Sequence, residues 1–136
     1  MSTGNIDFAL LIVRLSIALL MLTHGFPKLE KLISGQTTSF ANVMGMGSTL
    51  SLVLAVFTEV VCSVLLFFGL WTRLAAFFLA CTMSVAAFYI HAADPFSKQE
   101  MALLYLTVYV MLLLVGGGKY SIDARLHKMG KGRRTF

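Results

Sequence analysis

Residues 50–71 read LSLVLAVFTEVVCSVLLFFGLW and carry a single charged side chain, that of Glu59. A helix rises about 1.5 Å per residue, so about 20 apolar residues are needed to cross the ~30 Å hydrocarbon layer of a bilayer. This stretch meets both the length and the hydropathy requirement. It therefore predicts a transmembrane helix, and the rest of the chain is interpreted outward from it.

Three further apolar runs give the same prediction, and the four spans are expected at about residues 8–23, 50–71, 74–91 and 101–116. The strict alternation of polar and apolar residues that an outer-membrane β-barrel requires is absent from these runs. The second and third spans are separated by only a few residues around Trp71 and Arg73, which makes them antiparallel neighbours. We predict an all-α fold, a polytopic four-helix bundle in a membrane, formed as one domain by residues 1–136.

The composition points to the same class of protein. Of the 136 residues, 58% are apolar and 12% are charged, and the mean hydropathy is +0.85. A water-soluble domain of this length carries roughly a quarter of its residues as charged side chains. The composition therefore excludes a soluble globule and a disordered chain, and two cysteines are too few for a disulfide-stapled secreted domain.

The distribution of basic residues predicts the orientation. With four spans both termini share one side, and Lys and Arg are more numerous there than on the other. The first side has Arg73, Lys119, Arg125, Lys128, Lys131, Arg133 and Arg134, and the second has Lys28, Lys31 and Lys98. The positive-inside bias then places the N and C termini in the cytoplasm. The basic C-terminal tail, residues 119–136, is interpreted as a topology signal that contacts anionic lipid, and no nucleic acid is expected because the tail is short and lacks interleaved aromatic residues.

The link between the first two spans, residues 25–48, is long for a hairpin. Leu29, Leu32 and Ile33 recur at near-helical spacing before Gly35 interrupts the pattern. This spacing predicts one or two helices lying on the outer leaflet. A lid that dips over the mouth of the bundle is the alternative.

Arg14 and Glu59 are the charged residues inside the predicted spans. A charge in the hydrocarbon layer costs about 2.5–3.5 kcal/mol even on lenient scales, so it needs a partner or a function. Counted along the helices from the cytoplasmic side, Arg14 lies at ~12 Å and Glu59 at ~16 Å. We therefore predict that they form a buried ion pair. The pair either fixes helix register or forms a polar site with Tyr105 and Tyr109 of the fourth span, and both interpretations stay open.

A second cluster is predicted at the outer rim. His24 ends the first span, His91 ends the third and Glu100 opens the fourth, while Lys28 lies one turn past His24. Two histidines and a carboxylate could bind a metal or relay protons. No HxxxH or ExxH spacing brings them together, so no metal site is expected.

The cysteines and the cofactor motifs add no redox centre to this list. Cys62 and Cys81 share a predicted depth but lack CxxC spacing, and buried cysteine is normally an inert apolar residue. The sequence contains no CxxCH and no GxGxxG after a strand. No cofactor is therefore evident, and no catalytic residue is assigned.

The order of several short pieces carries a resemblance to a known family. The pieces are Arg14, residues 24–29 (HGFPKL), Glu59 followed by residues 65–73 (LLFFGLWTR), Glu100, and residues 116–123 (GGGKYSID). Together they resemble the DoxX family of small four-span membrane proteins. The resemblance extends over nearly the whole chain.

The resemblance implies a multi-pass protein of the bacterial inner (plasma) membrane. Relatives are linked to quinone-coupled sulfur oxidation, as membrane subunits of thiosulfate:quinone oxidoreductase, to complexes that handle thiol and oxidative stress, and to assembly of other membrane proteins. Carried over position by position, the family pattern implies a site formed by Arg14, His24, Lys28, Glu59, Arg73 and Glu100.

Two functions remain, and whether the chain is itself an enzyme stays open. In the first, it is an accessory membrane subunit of a quinone- or thiol/sulfur-linked redox system. The bundle then holds a small apolar ligand such as a quinone, with Arg14, Glu59 and Tyr109 at its polar end, and partner subunits carry the electrons. In the second, it is a non-enzymatic scaffold or assembly factor, expected to be homo-oligomeric, in which Arg14 and Glu59 form a structural ion pair.

Overall fold

The computed structural model describes residues 2–132 and is 80% helical. Within this range lie α1 (Thr3–Ile33), a 3₁₀ turn (Thr37–Ser39), α2 (Ser48–Phe68), α3 (Thr72–Ile90), α4 (Phe96–Val115) and α5 (Ile122–Gly132). The first four of these helices are long and apolar enough to span a membrane. The predicted all-α fold with four spans is confirmed, whereas the cytoplasmic placement of the termini stays a prediction.

The first helix continues past its predicted end. Pro27 lies inside α1, which ends only at Ile33. Proline removes one helical hydrogen bond, but a membrane helix tolerates that loss where neighbouring groups compensate. The apolar residues predicted to form an interfacial helix, such as Leu29 and Leu32, therefore belong to α1. Residues 34–47 form turns and the short 3₁₀ turn instead.

Two helices widen locally into π-helical turns. One is Phe57–Cys62 within α2, and the other is Ala86–Ile90 at the end of α3. A π-helical turn accommodates one extra residue and is frequent at functional sites. The first contains Glu59. The second begins at Ala86, which, like Glu59, lines the two cavities beside the Lys28 side chain.

The hairpin between α2 and α3 closes at Gly69. This residue has a φ of +71°, in the left-handed region that glycine adopts without steric cost. A Cβ atom there would lie 2.5 Å from Cβ of Ser121 and 3.0 Å from Cζ of Arg14. Gly69 thus lets α1, the hairpin and the segment after α4 meet at one point.

Helices α1 and α2 are antiparallel, and two close approaches define their register. Arg14 lies beside Gly69, whereas a Cβ atom on Gly25 would lie 3.2 Å from Cβ of Glu59. Glu59 is therefore level with Gly25, which is about 16 Å along α1 from Arg14.

Several small residues of α3 form part of the buried core of the bundle. Ala75, Ala76, Ala80 and Ala87 are buried, and α3 and α4 are extensively packed. Small residues let membrane helices approach closely. Large apolar side chains such as Phe77 and Phe88 are exposed on the outside of the bundle, as expected where a helix contacts acyl chains.

The basic C-terminal tail contains one helix, α5. Its residues from Arg125 to Lys131 are exposed. Arg133 and Arg134, which contribute to the predicted orientation, lie outside the described residues.

Candidate functional site

Arg14 and Glu59 do not form an ion pair, so that prediction is wrong. Arg14 is 1% exposed, and its guanidinium donates to two backbone carbonyls: Nη1 to Gly117 O at 2.5 Å and Nη2 to Tyr120 O at 2.9 Å. Glu59 lies about ten residues farther along the bundle and has a different partner. The buried guanidinium therefore ties α1 to the segment after α4.

The same end of the bundle is held by Asp123. Its carboxylate accepts the N–H of Trp71 at 2.8 Å and of Thr72 at 2.9 Å, and its own N–H donates to Gly69 O at 3.0 Å. These bonds satisfy free N–H groups at the start of α3.

We call Arg14, residues 69–73 and residues 116–123 the terminal junction. The start of α1 is also attached to it, because Asp7 Oδ1 accepts the N–H of Lys119 at 3.0 Å. Arg73 belongs to the junction by position but is exposed. The two predicted site residues Arg14 and Arg73 therefore lie at this end, away from the other candidates.

Glu59 pairs with Lys28 instead. The distance from Lys28 Nζ to Glu59 Oε1 is 2.5 Å, and the side chains are 31% and 3% exposed, respectively. The ammonium group also lies 5.8 Å from the centre of the Phe40 ring. Glu59 Oε2 is buried and has no hydrogen-bond partner among the described residues. One carboxylate oxygen is thus available as an acceptor.

A polar cavity of about 140 Å³ opens beside this ion pair. Five predicted site residues line it: His24, Lys28, Glu59, His91 and Tyr105. The remaining walls are Met21, Met83, Ala86, Lys98, Met101 and Ala102. The rim cluster predicted from the sequence is therefore brought together, except for Glu100, which is exposed and does not line the cavity.

The two tyrosines of α4 extend this wall into the core. The Tyr105 and Tyr109 rings are stacked with centroids 6.1 Å apart, and His24 contacts Tyr105 edge-on at 5.8 Å. Tyr109 is fully buried, and its hydroxyl has no hydrogen-bond partner among the described residues. A second unsatisfied polar atom therefore lies behind the cavity wall.

A larger apolar cavity of about 240 Å³ lies on the other side of the pair. It shares Lys28, Glu59 and Ala86 with the polar cavity. Its other walls come from three parts of the chain: Phe40, Val43 and Met46; Ser51, Leu54, Ala55 and Thr58; and Cys81, Thr82, Val85 and Ile90. The Lys28–Glu59 pair therefore stands where an apolar space meets a polar one.

The linker after α1 covers this apolar cavity. Ser51 Oγ accepts the N–H of Val43 at 3.0 Å, Tyr89 Oη accepts the N–H of Met44 at 3.2 Å, and Asn42 Oδ1 accepts the N–H of Gly47 at 2.8 Å. The first two bonds attach the linker to α2 and α3, and the third lies within the linker. The position agrees with the lid that was the alternative interpretation of this segment.

His91 is oriented by groups that the sequence analysis did not select. Its Nδ1 lies 2.7 Å from Asp94 Oδ2, and its carbonyl accepts a hydrogen bond from Gln99 Nε2 at 2.6 Å. The bond to His91 lowers the pKa of Asp94, with a smaller contribution in the same direction from Lys98. An ionised Asp94 can only accept, so Nδ1 of His91 is the donor in this hydrogen bond.

The described residues also include two cysteines and possible metal ligands. Within residues 2–132, no group of three His, Cys, Asp or Glu side chains is placed to hold a metal ion. Cys62 is buried and Cys81 is exposed, and both are free thiols. Cys81 lines the apolar cavity, while Cys62 lies in the core.

Comparisons with known proteins agree with the fold and with the motifs. The DoxX family model matches residues 9–92. An uncharacterized protein of Haemophilus influenzae is 31% identical over 128 residues, covering 89% of this chain and 92% of the relative. No solved structure matches the chain. The matched range includes Arg14, the α2–α3 hairpin and the cavity residues up to His91, whereas residues 116–123 lie beyond it.

Proposed function

Since the chain belongs to the DoxX family, whose model covers more than half of it, we propose that it is a membrane subunit of a redox system that holds a quinone-like ligand between its helices. The ligand ring occupies the apolar cavity, and its polar end reaches the Lys28–Glu59 pair. The observation that carries this proposal is the position of that pair, on the shared wall of an apolar and a polar cavity.

The residues present suit the two faces of such a ligand. A quinone carbonyl needs a donor, which the Lys28 ammonium and the His24 ring provide in the polar cavity. A quinol hydroxyl needs an acceptor. Glu59 Oε2 can be that acceptor, because it is buried and has no hydrogen-bond partner among the described residues. The cavity volumes lie below the ~300–1,000 Å³ typical of sites for drug-sized ligands, which favours a single ring over a dinucleotide.

The proposed role of these residues is binding and proton handling. Interconversion of a quinone and a quinol moves two electrons and two protons. Glu59 and His24 can hold protons at the ligand, and His91 connects the polar cavity to the rim. In this proposal the electrons come from a partner subunit, because no residue of the site is suited to carry them.

The test is ligand retention by the purified protein. We expect wild-type chain, purified in mild detergent, to retain quinone that chromatography of an organic extract detects at a substantial fraction of one per chain. Glu59→Gln and Lys28→Met should lose most of it. Glu30→Gln and Lys31→Met make the same chemical changes at exposed positions of α1 outside both cavities, and they should retain it. Equal retention by all four variants, or no quinone in the wild type, would overturn the proposal.

A scaffold or assembly role is the second candidate function. It is favoured by the terminal junction, where Arg14 and Asp123 have only structural partners. A homo-oligomer belongs to this second proposal. Native mass spectrometry in detergent tests it, and a defined oligomer that forms equally well from Glu59→Gln would favour assembly over ligand binding.

A further inference from the structure

A third cavity lies at the opposite end of the bundle from the Lys28–Glu59 pair. It is an open crevice of about 790 Å³ between the start of α3, the turn at residues 116–118 and the first turns of α5. Its walls are Trp71, Thr72, Arg73, Leu74, Val115, Gly116, Gly117, Gly118, Ser121, Asp123, Ala124 and His127. The proposed redox site shares none of these residues.

The polar groups of the crevice favour an anion. Arg73 lies over Gly116 and has no ion-pair partner in the part of the chain that the structure describes. Asp123 also lines the crevice, but its two oxygens accept the N–H groups of Trp71 and Thr72, and it forms no ion pair with Arg73 among the described residues. His127 stands on the wall formed by α5. Of the two charged side chains that line the crevice, Asp123 has hydrogen-bond partners, and Arg73 has none in the described part of the chain.

A buried hydroxyl gives an independent indication of a ligand. Thr72 is 1% exposed and lines the crevice, yet its Oγ1 has no hydrogen-bond partner among residues 2–132. An unpaired buried polar atom is costly, and a native structure usually satisfies it with a bound group or water. A phosphate oxygen near Arg73 would provide such a partner.

The crevice opens onto the apolar outer surface of the bundle. Trp71, Leu74 and Val115 line it, and they are 61%, 53% and 51% exposed. Leu74 and Val115 belong to membrane-spanning helices, and tryptophan is typical of the headgroup level of a bilayer. A polar crevice with apolar exits at this depth matches the shape of a phospholipid, which has a charged headgroup and acyl chains.

Helix α5 adds a second feature of a membrane surface. Ile122, Leu126 and Met129 recur at helical spacing and are exposed, so their apolar face is not covered by the described protein. Arg125 lies beside this apolar face, and Lys128 lies farther round the same side of the helix. A short basic amphipathic helix directly after a span is typical of a segment that lies in the interface of anionic lipid.

We propose that the crevice is a binding site for the phosphodiester headgroup of an anionic phospholipid in the adjacent leaflet. Arg73 forms the ion pair with the phosphate, the Thr72 hydroxyl donates to a phosphate oxygen, and the acyl chains lie along Leu74 and Val115. Helix α5 forms one wall of the site through Asp123, Ala124 and His127. The site fixes lipid at the end of the bundle formed by the terminal junction.

The experiment compares lipids and two matched variants of the full chain. Native mass spectrometry counts bound phosphatidylglycerol and phosphatidylcholine, and the thermal unfolding midpoint is measured with each lipid and with inorganic phosphate. Arg73→Gln removes the charge in the crevice. Lys128→Gln removes one charge from exposed α5 outside the crevice. Circular dichroism and gel filtration establish that both variants are folded.

We expect wild type and Lys128→Gln to bind phosphatidylglycerol in preference to phosphatidylcholine, with a raised unfolding midpoint. Arg73→Gln should lose about fivefold in that preference, equivalent to the ~1 kcal/mol that one basic residue contributes at an anionic surface. Equal losses in both variants would show diffuse attraction by the basic helix and overturn the site. If inorganic phosphate raised the unfolding midpoint as much as phosphatidylglycerol does, the crevice would be a site for a free anion. If phosphatidylcholine raised it as much, the charge of the headgroup would have no role in binding.

Discussion

The Lys28–Glu59 pair predicts a strong energetic coupling between two helices that are adjacent in the bundle. We consider Lys28→Met, Glu59→Gln and the double variant, which keep side-chain length and remove charge. Because Glu59 is 3% exposed on its side chain and one of its oxygens is unpaired, Lys28→Met leaves an uncompensated carboxylate in an apolar setting. Glu59→Gln leaves an ammonium that is 31% exposed and can be hydrated.

The magnitudes follow from this asymmetry. Removing one member of a fully buried ion pair costs about 3–5 kcal/mol of unfolding free energy. We expect ~3 kcal/mol for Lys28→Met, and only about 1–2 kcal/mol for Glu59→Gln since water screens the remaining charge. The double variant no longer leaves a charge unpaired, so its loss should fall below the sum of the single losses by about 2 kcal/mol.

The assay is unfolding in mixed micelles by titration with sodium dodecyl sulfate, followed by circular dichroism. The Arg14→Leu and Glu59→Gln cycle serves as the control, because these residues lie about 16 Å apart along the bundle and share no partner. That cycle should be additive within about 0.5 kcal/mol. Additivity for Lys28 with Glu59, or coupling of Arg14 with Glu59, would refute the assignment of the pair.

Three further predictions concern the terminal junction and the α3–α4 linker. Gly69→Ala should lose at least ~2 kcal/mol in the same unfolding assay because of its positive φ and the 2.5 Å approach to Ser121, whereas Gly130→Ala, which has open space around it, should cost nothing. Asp123→Ala should lose about 1–2 kcal/mol by freeing the N–H groups at the start of α3. Because the pKa of Asp94 is lowered, its bond to His91 stabilises the α3–α4 linker above about pH 4. This stabilisation is lost as the pH falls through the lowered pKa. Asp94→Asn should therefore reduce the change in unfolding midpoint between pH 6 and pH 3.

The number of spans is predictable from the sequence because it depends on a strong signal. Each apolar run is near the length that a bilayer requires, and the backbone polar groups within a bilayer must be satisfied by the helix itself. The short separation of α2 from α3 likewise fixes their antiparallel packing. These features depend on local sequence alone, and the structure agrees with them.

The partner of Glu59 was not predictable in the same way, because it depends on where α1 ends. The hydropathy pattern predicts that the first span ends near His24, ahead of Pro27, and that the second begins at residue 50. In the structure α1 continues to Ile33, and Glu59 faces Gly25. An extension of about ten residues in α1 moves every α1–α2 contact by the same amount, so Arg14 moves away from Glu59 and Lys28 takes its place.

The main members of the predicted rim cluster lie together because helix ends at one membrane surface converge. His24, Lys28 and His91 were selected on that basis, and they line the polar cavity. Lys98 lies at the same rim, and its position after Pro95 was the signal that could have identified it. Asp94 could not be assigned from spacing alone, since its contact with His91 depends on the turn between α3 and α4.

The two charges that the sequence places deep in the spans have different surroundings, and this difference separates structure from function. Arg14 donates to two carbonyls through its Nη atoms, has a buried Nε without a partner among the described residues, and lines none of the three cavities described above. Glu59 has one oxygen paired and one free, and it lines two cavities at once. A buried charge in lipid is expensive in either case, so each must be retained for a reason. Arg14 joins α1 to the segment after α4, whereas the unpaired oxygen of Glu59 lies where we propose that the ligand binds.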